Sequence, residues 1–114
     1  ETGIDIEPKE EITFDDFEKL QFQVGEIIAC EAVKKSKKLL CSQVKIGSQV
    51  KQIVSGIKAH YTPEEMVGKK VMVLVNLKLA GVLSEGMLLC AEDENGELSL
   101  MVPEKKMPSG AEIC

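Results

Sequence analysis

The chain has 114 residues, 44% of them hydrophobic, a net charge of −5 and no long apolar run, as is typical of one compact domain. The densest apolar stretch, VMVLVNL at 71–77, is only long enough for a strand, so we expect no membrane span and a cytoplasmic location. Residues 1–12 are acidic and weakly apolar, which predicts a linker or tail before a domain at 13–114. Since the chain starts at Glu1 without a methionine, we expect that it was cut from a longer protein.

The cysteines and the single histidine do not form a metal-binding pattern. Cys30, Cys41, Cys90 and Cys114 show no CxxC spacing, and His60 has no second histidine to complete a zinc signature. Three of the cysteines lie in apolar alternating segments. We therefore predict reduced, mostly buried thiols and no metal site.

The first predicted element is a short helix in ITFDDFEKL. Thr13 is its expected N-cap, and two aspartates follow in the first turn. Phe14, Phe17 and Leu20 recur at helical spacing. We expect this helix to plug one end of the core.

Alternating apolar residues then predict strands. They fall at 20–33, 39–47, 49–57 and 69–77, followed by a last hairpin of 86–92 and 97–103 around the turn DENG. Gly25 inside the first strand predicts a bend or bulge. Between the third and fourth strands, Thr62, Glu65 and Gly68 mark a helix with a capping box and a glycine stop. This order predicts a mostly β protein, a five-stranded Greek-key OB-fold barrel with an N-terminal helix and a C-terminal extension.

Acidic residues are concentrated at the two ends of the chain. Residues 1–19 hold eight acids and two lysines, and residues 92–114 hold six acids and two lysines. Residues 20–91 hold ten lysines and five acids, so the body of the domain is rich in cations. All fourteen basic residues are lysines. Because arginine is the side chain that forks onto guanine edges, its absence favours contact with a phosphate backbone over base reading.

Four of the lysines are neighbours in VKKSKKLL at 33–40, between the first two predicted strands. In an OB barrel this loop lies at the rim of the face on strands 2 and 3 that binds ligands. A run of lysines in a loop can be only a solvated surface, or it can contact the phosphates of a ligand. The predicted position of this loop in the barrel favours contact with phosphates.

Several short motifs occur together in the order of a known family. They are VGEI, KLL, IVSGI, YTPEEMVGKKV, NL and SEGMLL, and they cover about residues 13–114. In these motifs the chain resembles the tRNA-binding domain at the C-terminus of bacterial methionyl-tRNA synthetases. Related domains occur as free tRNA-binding proteins, as synthetase-associated cofactors and in a secretion-linked chaperone.

The resemblance implies a domain that grips the outer corner of tRNA by shape and dimerises through its C-terminal extension, about 92–114. It implies RNA contacts by Lys34, Lys35, Lys37, Lys38, Asn76, Lys78, Ser55 and Ser84. The apolar residues of the extension, which we expect outside the five-strand core, predict the surface of a homodimer. They are Leu98, Leu100, Met101, Val102, Met107 and Ile113.

Three of the implied contact positions also have a purely structural interpretation. Ser55-Gly56 and Ser84-Glu85-Gly86 could be turns in which glycine takes a positive φ, and Asn76 could cap a strand end.

The chain departs from the family pattern at three places. Gln23 replaces a common arginine, and Val33, Lys34 and Lys37 occupy positions where relatives have a His-Pro pair and an acid. The segment KLAGVL at 78–83 is shorter than usual and leaves Lys78 as its only cation. This shifts more of the expected phosphate contact onto Lys34 to Lys38.

Catalysis by this fragment is not expected, since the sequence offers neither a Ser/His/Asp set nor a glycine-rich phosphate loop. If the domain is a synthetase appendage, aminoacylation belongs to a catalytic part in the same or a separate chain, and this domain needs no cofactor and no membrane. The alternative is a dimeric OB-fold module that binds exposed apolar peptide, as a chaperone or an assembly scaffold. The scarcity of aromatic residues disfavours a generic single-strand binder.

Overall fold

The computed structural model describes residues 3–79, 81 and 83–114; Glu1 and Thr2 of the predicted tail and Ala80 and Val82 of the predicted KLAGVL loop lie outside these. The helices are α1 (Phe14–Phe17) and α2 (Pro63–Met66). The strands are β1 (Phe22–Ala32), β2 (Leu40–Ile46), β3 (Gln49–Ser55), β4 (Lys70–Leu74), β5 (Met87–Leu88), β6 (Cys90–Glu92), β7 (Leu98–Leu100) and β8 (Glu112–Ile113). Residues 3–12 form no helix or strand and are exposed.

The fold is a curled antiparallel sheet with β1 at its centre. The hydrogen-bonded order is β3-β2-β1-β4-β5, and β8 adds to β1, while β6 and β7 form a separate hairpin. β1 pairs with β2 along one half and with β4 along the other, so this one long strand belongs to both halves of the sheet. The mostly β class and the order of the elements agree with the prediction. The five-strand count of a complete OB barrel stays a prediction.

A buried apolar core fills the inside of the curl, with Ile27, Leu40, Val44, Ile53, Met66, Val71 and Val73 fully buried. Gly25 lies in this core, where a Cβ would come within 2.5 Å of Val44 Cγ1 and 2.9 Å of Val73 Cγ2. The bulge of β1 lies instead between Ile27 and Ala29. Of the predicted bend or bulge at Gly25, the bulge is therefore wrong and the bend stays a prediction. This glycine is needed because neighbouring side chains occupy the space that a Cβ would take.

Helix α1 begins as predicted but does not plug the core. Thr13 and Asp16 form a capping box, and none of the helical residues is buried. The exposed fractions of Phe14, Phe17 and Leu20 are 69%, 39% and 43%. The helical spacing of these residues predicted a helix correctly, but they leave an apolar surface open to solvent.

Helix α2 matches the prediction in detail. Thr62 caps it, Glu65 closes the capping box, Pro63 occupies the first turn and Gly68 takes a positive φ of 94° just after it. Met66 is its buried residue. The helix therefore seals the core beside β1, because its one apolar side chain enters the interior.

The C-terminal extension packs back onto the sheet of the same molecule. The Val24 N–H donates to Ala111 O at 2.9 Å, and the Gly110 N–H donates to Val24 O at 2.7 Å. Leu100 is 6% exposed and belongs to the core, and Leu98 packs against it. The expectation that these two leucines lie outside the core is wrong, because β7 places them on the inward side of the last hairpin.

The described residues give no support to a membrane span or a clustered metal site. No helix among them is long and apolar enough to cross a membrane. The same residues hold no group of three or more histidine, cysteine or acidic side chains placed to hold a metal ion. The four cysteines are free; three are half-buried and Cys114 is exposed.

Candidate nucleic-acid interface

The loop between β1 and β2, residues 33–39, carries the four neighbouring lysines and is here called the lysine loop. Ser36 organises it. The Ser36 hydroxyl accepts the Lys38 N–H at 3.1 Å and the Leu39 N–H at 3.2 Å. The Ser36 N–H donates to Val33 O at 3.0 Å, and the Val33 N–H donates to Leu39 O at 3.1 Å, which closes the loop. The loop is thus a hydrogen-bonded turn rather than an open chain.

A fifth lysine, Lys58, joins this loop from the segment that follows β3. Its backbone N–H donates to Lys38 O at 3.1 Å, and its ammonium Nζ donates to Ser36 O at 3.1 Å. Lys58 is half-buried, unlike the lysines of the loop. Five positive charges therefore meet at one end of the β2-β3 hairpin.

The lysine loop is positively charged and open to solvent. Lys34, Lys35, Lys37 and Lys38 are all exposed. In the part of the chain that the structure describes, no salt bridge involves any of them. Such a cluster attracts an anionic backbone, and each lysine can donate to a phosphate oxygen without first leaving a carboxylate.

Lys58 was absent from the predicted site, although the sequence contained a signal for it. Ile46 pairs with Gln49 across the turn, and this register carries Leu40 opposite Ser55. If the same register is extended beyond the strand ends, the residues before Leu40 lie beside those after Ser55. The predicted hairpin could therefore have placed Lys58 next to the lysine loop.

Ser84, a predicted RNA contact, lies inside the fold. Its side chain is 2% exposed, and its hydroxyl accepts the Val54 N–H at 3.0 Å and donates to Gly86 O at 2.9 Å. Gly86 does not take a positive φ; a Cβ there would come within 2.7 Å of Leu74 O. These contacts give Ser84 and Gly86 structural roles.

Ser55 shares this edge of the sheet. Its hydroxyl oxygen is buried and has no hydrogen-bond partner among the described residues. Gly56, which follows it, does not take a positive φ, so the turn interpretation is wrong for both glycines. Direct RNA contact by the hydroxyls of Ser55 and Ser84 stays a prediction, and the interface proposed below does not depend on it.

Asn76 and Lys78 follow β4. Asn76 Oδ1 accepts the Gln21 N–H at 3.0 Å, and Asn76 Nδ2 donates to Lys19 O at 2.7 Å. Asn76 thus fixes the segment between α1 and β1, and its contact with RNA stays a prediction.

Lys78 is exposed, and the next residue, Leu79, forms an isolated β-bridge with Ser84. The segment of Lys78 is therefore tied to the same edge as Ser55.

The sequence comparisons agree on one family. The profile of the family described as "Putative tRNA binding domain" matches residues 22–112. The chain is 50% identical to the methionine–tRNA ligase of Methanococcus aeolicus over 111 aligned residues. This alignment covers 95% of this chain and 16% of the ligase. The chain is 48% identical to the corresponding ligase of Methanocaldococcus jannaschii, across 94% of this chain and 17% of the ligase.

Solved structures show the same fold. A methionyl-tRNA synthetase related protein from Pyrococcus horikoshii superimposes with a TM-score of 0.84 at 38% identity, covering 93% of this chain and all of that one. The chaperone CsaA from Bacillus anthracis superimposes with a TM-score of 0.80 at 26% identity, covering 92% of this chain and all of the chaperone.

The chain spans about a sixth of the length of the ligases that it matches. The matched segment is the tRNA-binding domain, so the catalytic part of such ligases is not included in these 114 residues. The resemblance inferred from the short motifs is thereby confirmed. The chain belongs to the family of tRNA-binding domains and is homologous to the tRNA-binding region of methionyl-tRNA synthetases.

Proposed function

We propose that this domain binds tRNA through the lysine loop, by contact with phosphates and recognition of shape. The observation that carries the proposal is the exposure of Lys34, Lys35, Lys37 and Lys38 on a hydrogen-bonded loop, with no salt bridge from any of them to an acid among the described residues. Lysine ammonium groups attract phosphates as point charges, and arginine, whose planar fork suits guanine edges, does not occur in the chain. Binding tolerant of sequence is the expected result.

The domain works, in this proposal, as the C-terminal appendage of a cytoplasmic methionyl-tRNA synthetase. The 44–50% identity to methionine–tRNA ligases supports it. A tethered tRNA-binding domain raises the local concentration of tRNA at a catalytic part, so it increases apparent affinity without chemistry or a cofactor of its own.

A homodimer is the second part of the proposal, with a surface smaller than the one predicted from sequence. Met101, Val102 and Met107 are 45%, 57% and 38% exposed, whereas Leu98 and Leu100 are used by the monomer core. An apolar cavity of about 180 Å³ adjoins Met101 and Val102; its lining residues are Val24, Met72, Met101, Val102, Pro103 and Ile113. Covering such a surface favours association. Light scattering that shows only monomer at micromolar concentration would contradict this part.

The decisive experiment measures tRNA affinity against salt concentration. Affinity is expected to fall steeply as salt rises, because each phosphate contact releases counterions. The double charge reversal Lys37→Glu with Lys38→Glu is expected to weaken binding at least tenfold and to lower the salt dependence. Circular dichroism and light scattering should be unchanged.

A matched control is the pair Lys105→Glu with Lys106→Glu. These two lysines are also adjacent and exposed, but they lie in the C-terminal extension. The control changes the net charge by the same amount, so a smaller loss of affinity separates local contact from overall charge. No binding at low salt removes the proposal. Equal losses in both double variants, with the same oligomeric state by light scattering, remove the lysine loop from it.

A protein-binding module is the second candidate function. It is favoured by the likeness to CsaA and by the apolar surface on α1 and its flanks, where Ile12 and Phe14 are 64% and 69% exposed. Suppression of the aggregation of an unfolded protein would support it, provided that tRNA at low salt does not compete. Competition by tRNA would favour the first candidate.

A further inference from the structure

The lysine loop has its shape before any ligand arrives, and two residues outside the predicted site hold it. The hydroxyl of Ser36 accepts two backbone N–H groups of the loop, at 3.1 and 3.2 Å. The ammonium and backbone N–H of Lys58 bind two carbonyl groups of the loop, each at 3.1 Å. The loop is therefore held from inside by Ser36 and from the β3 side by Lys58.

We propose that Ser36 and Lys58 are positioning residues, which fix the lysine loop in the shape that presents its four exposed lysines to tRNA. The proposal rests on the proposed function. A loop that must order itself on binding loses conformational entropy, and a loop that is already ordered avoids that loss. Ser36 is suited to this role because its hydroxyl lies within the lysine run and adds no charge of its own.

Lys58 differs from the exposed lysines in what its ammonium does. One of its three N–H donors is bound to Ser36 O, and its side chain is half-buried against the loop. Its charge still adds to the positive field of the cluster. Loss of Lys58 therefore removes both a charge and a constraint, and the experiment must separate these two effects.

The variant Ser36→Ala separates them, because it removes the acceptor of two hydrogen bonds and leaves every charge in place. We expect tRNA affinity to fall about threefold to tenfold at fixed salt. Hydrogen exchange at the backbone amides of Lys38 and Leu39 should become faster, while the urea unfolding midpoint changes little. The variant Ser36→Thr keeps the hydroxyl and should restore affinity and amide protection together.

For Lys58 the matched pair is Lys58→Gln and Lys45→Gln. Each variant loses one positive charge, but Lys45 is an exposed residue near the other end of β2 and makes no hydrogen bond to the lysine loop among the described residues. We expect Lys58→Gln to weaken binding more than Lys45→Gln and to speed exchange at the loop amides. Equal effects on affinity with unchanged exchange would reduce Lys58 to one charge among several.

The outcomes distinguish this proposal from the proposed function. If the unmodified domain does not bind tRNA, the proposed function fails and the positioning role fails with it. If the domain binds and the Lys37, Lys38 double reversal weakens binding, but Ser36→Ala binds as tightly as the unmodified domain, only the positioning role is overturned. Unchanged protection of the Lys38 and Leu39 amides in folded Ser36→Ala also overturns it.

Discussion

The hydroxyl of Ser84 accepts the backbone N–H of Val54 at 3.0 Å and so connects β3 to the segment that leads into β5. The Glu85 N–H donates to Gln52 O at 2.8 Å beside it. β3 and β5 stand at the two ends of the strand order, so these bonds bring the free edges of the curled sheet together. A side-chain bond and a backbone bond therefore join the two edges, between which the described residues form no strand-to-strand ladder.

The variant Ser84→Ala is expected to lower the free energy of unfolding by about 1–3 kcal/mol, because it leaves the N–H of half-buried Val54 without its partner. Urea denaturation measures the change. Ser48→Ala is the control, since Ser48 is exposed in the turn between β2 and β3. An equal, small effect in both variants would show that the Ser84 contact contributes little to closing the sheet.

Gly25 is the second position where a small change should matter. In Gly25→Ala the new Cβ lies 2.5 Å from Val44 Cγ1, a distance that forces the core to move. We expect a loss of about 1–3 kcal/mol in the free energy of unfolding. Gly56→Ala is the control, because Gly56 has no positive φ and a Cβ added to it would meet no atom of the described residues beyond its chain neighbours within 4 Å. A stable Gly25→Ala protein would mean that Val44 can change its rotamer at little cost.

The sequence could predict a structural feature when the residues that cause it are neighbours in the chain. The capping box of Thr62 and Glu65 involves residues three apart, and the sequence predicted it completely. The exposure of Phe14 depends on what the rest of the chain places over α1, and periodicity carries no information about that. The need for a glycine at Gly25 arises from Val44 and Val73, which are distant in sequence.

The candidate site divides in the same way. The lysine loop was visible as a charge run, and its exposure follows from its composition. The burial of the Ser84 hydroxyl was not visible, because it comes from the meeting of two sheet edges far apart in sequence. The contact of Lys58 lies between these cases, since the hairpin register determines it and the register could be extended from the turn.

The capping box of α2 predicts a pH dependence. The Thr62 N–H donates to Glu65 Oε2 at 2.8 Å, and this bond, with a second from the Thr62 hydroxyl, holds the pKa of Glu65 below its ordinary value of 4.5. Because the pKa is lowered in the folded state, the stabilisation is present above pH 4.5 and is lost as the pH falls through the lower, folded value.

The measurement compares Glu65→Ala with Glu64→Ala in urea. Both variants lose a negative charge from the first turn of α2, but only Glu65 belongs to the capping box. Glu65→Ala should be the less stable variant at about pH 7, and the difference should shrink as the pH falls through the lowered pKa of Glu65, because the carboxyl group is then protonated in the folded state as well. A difference that stays constant across this range would contradict the assignment.

The cysteines predict a pattern of thiol reactivity. Burial raises the pKa of the Cys30, Cys41 and Cys90 thiols above the ordinary value of 9.0. The thiolate is the reactive form, so a raised pKa leaves less of it at a given pH, and these three thiols should react slowly at about pH 8. Cys114 is exposed and should react first.

A disulfide exchange reagent should therefore show one fast equivalent, and the slow phase should speed up as the pH rises towards about 10. Cys114→Ser should abolish the fast phase, and unfolding in urea should remove the difference between phases. More than one fast equivalent in the folded protein would mean that the strands around Cys30 and Cys41 open readily.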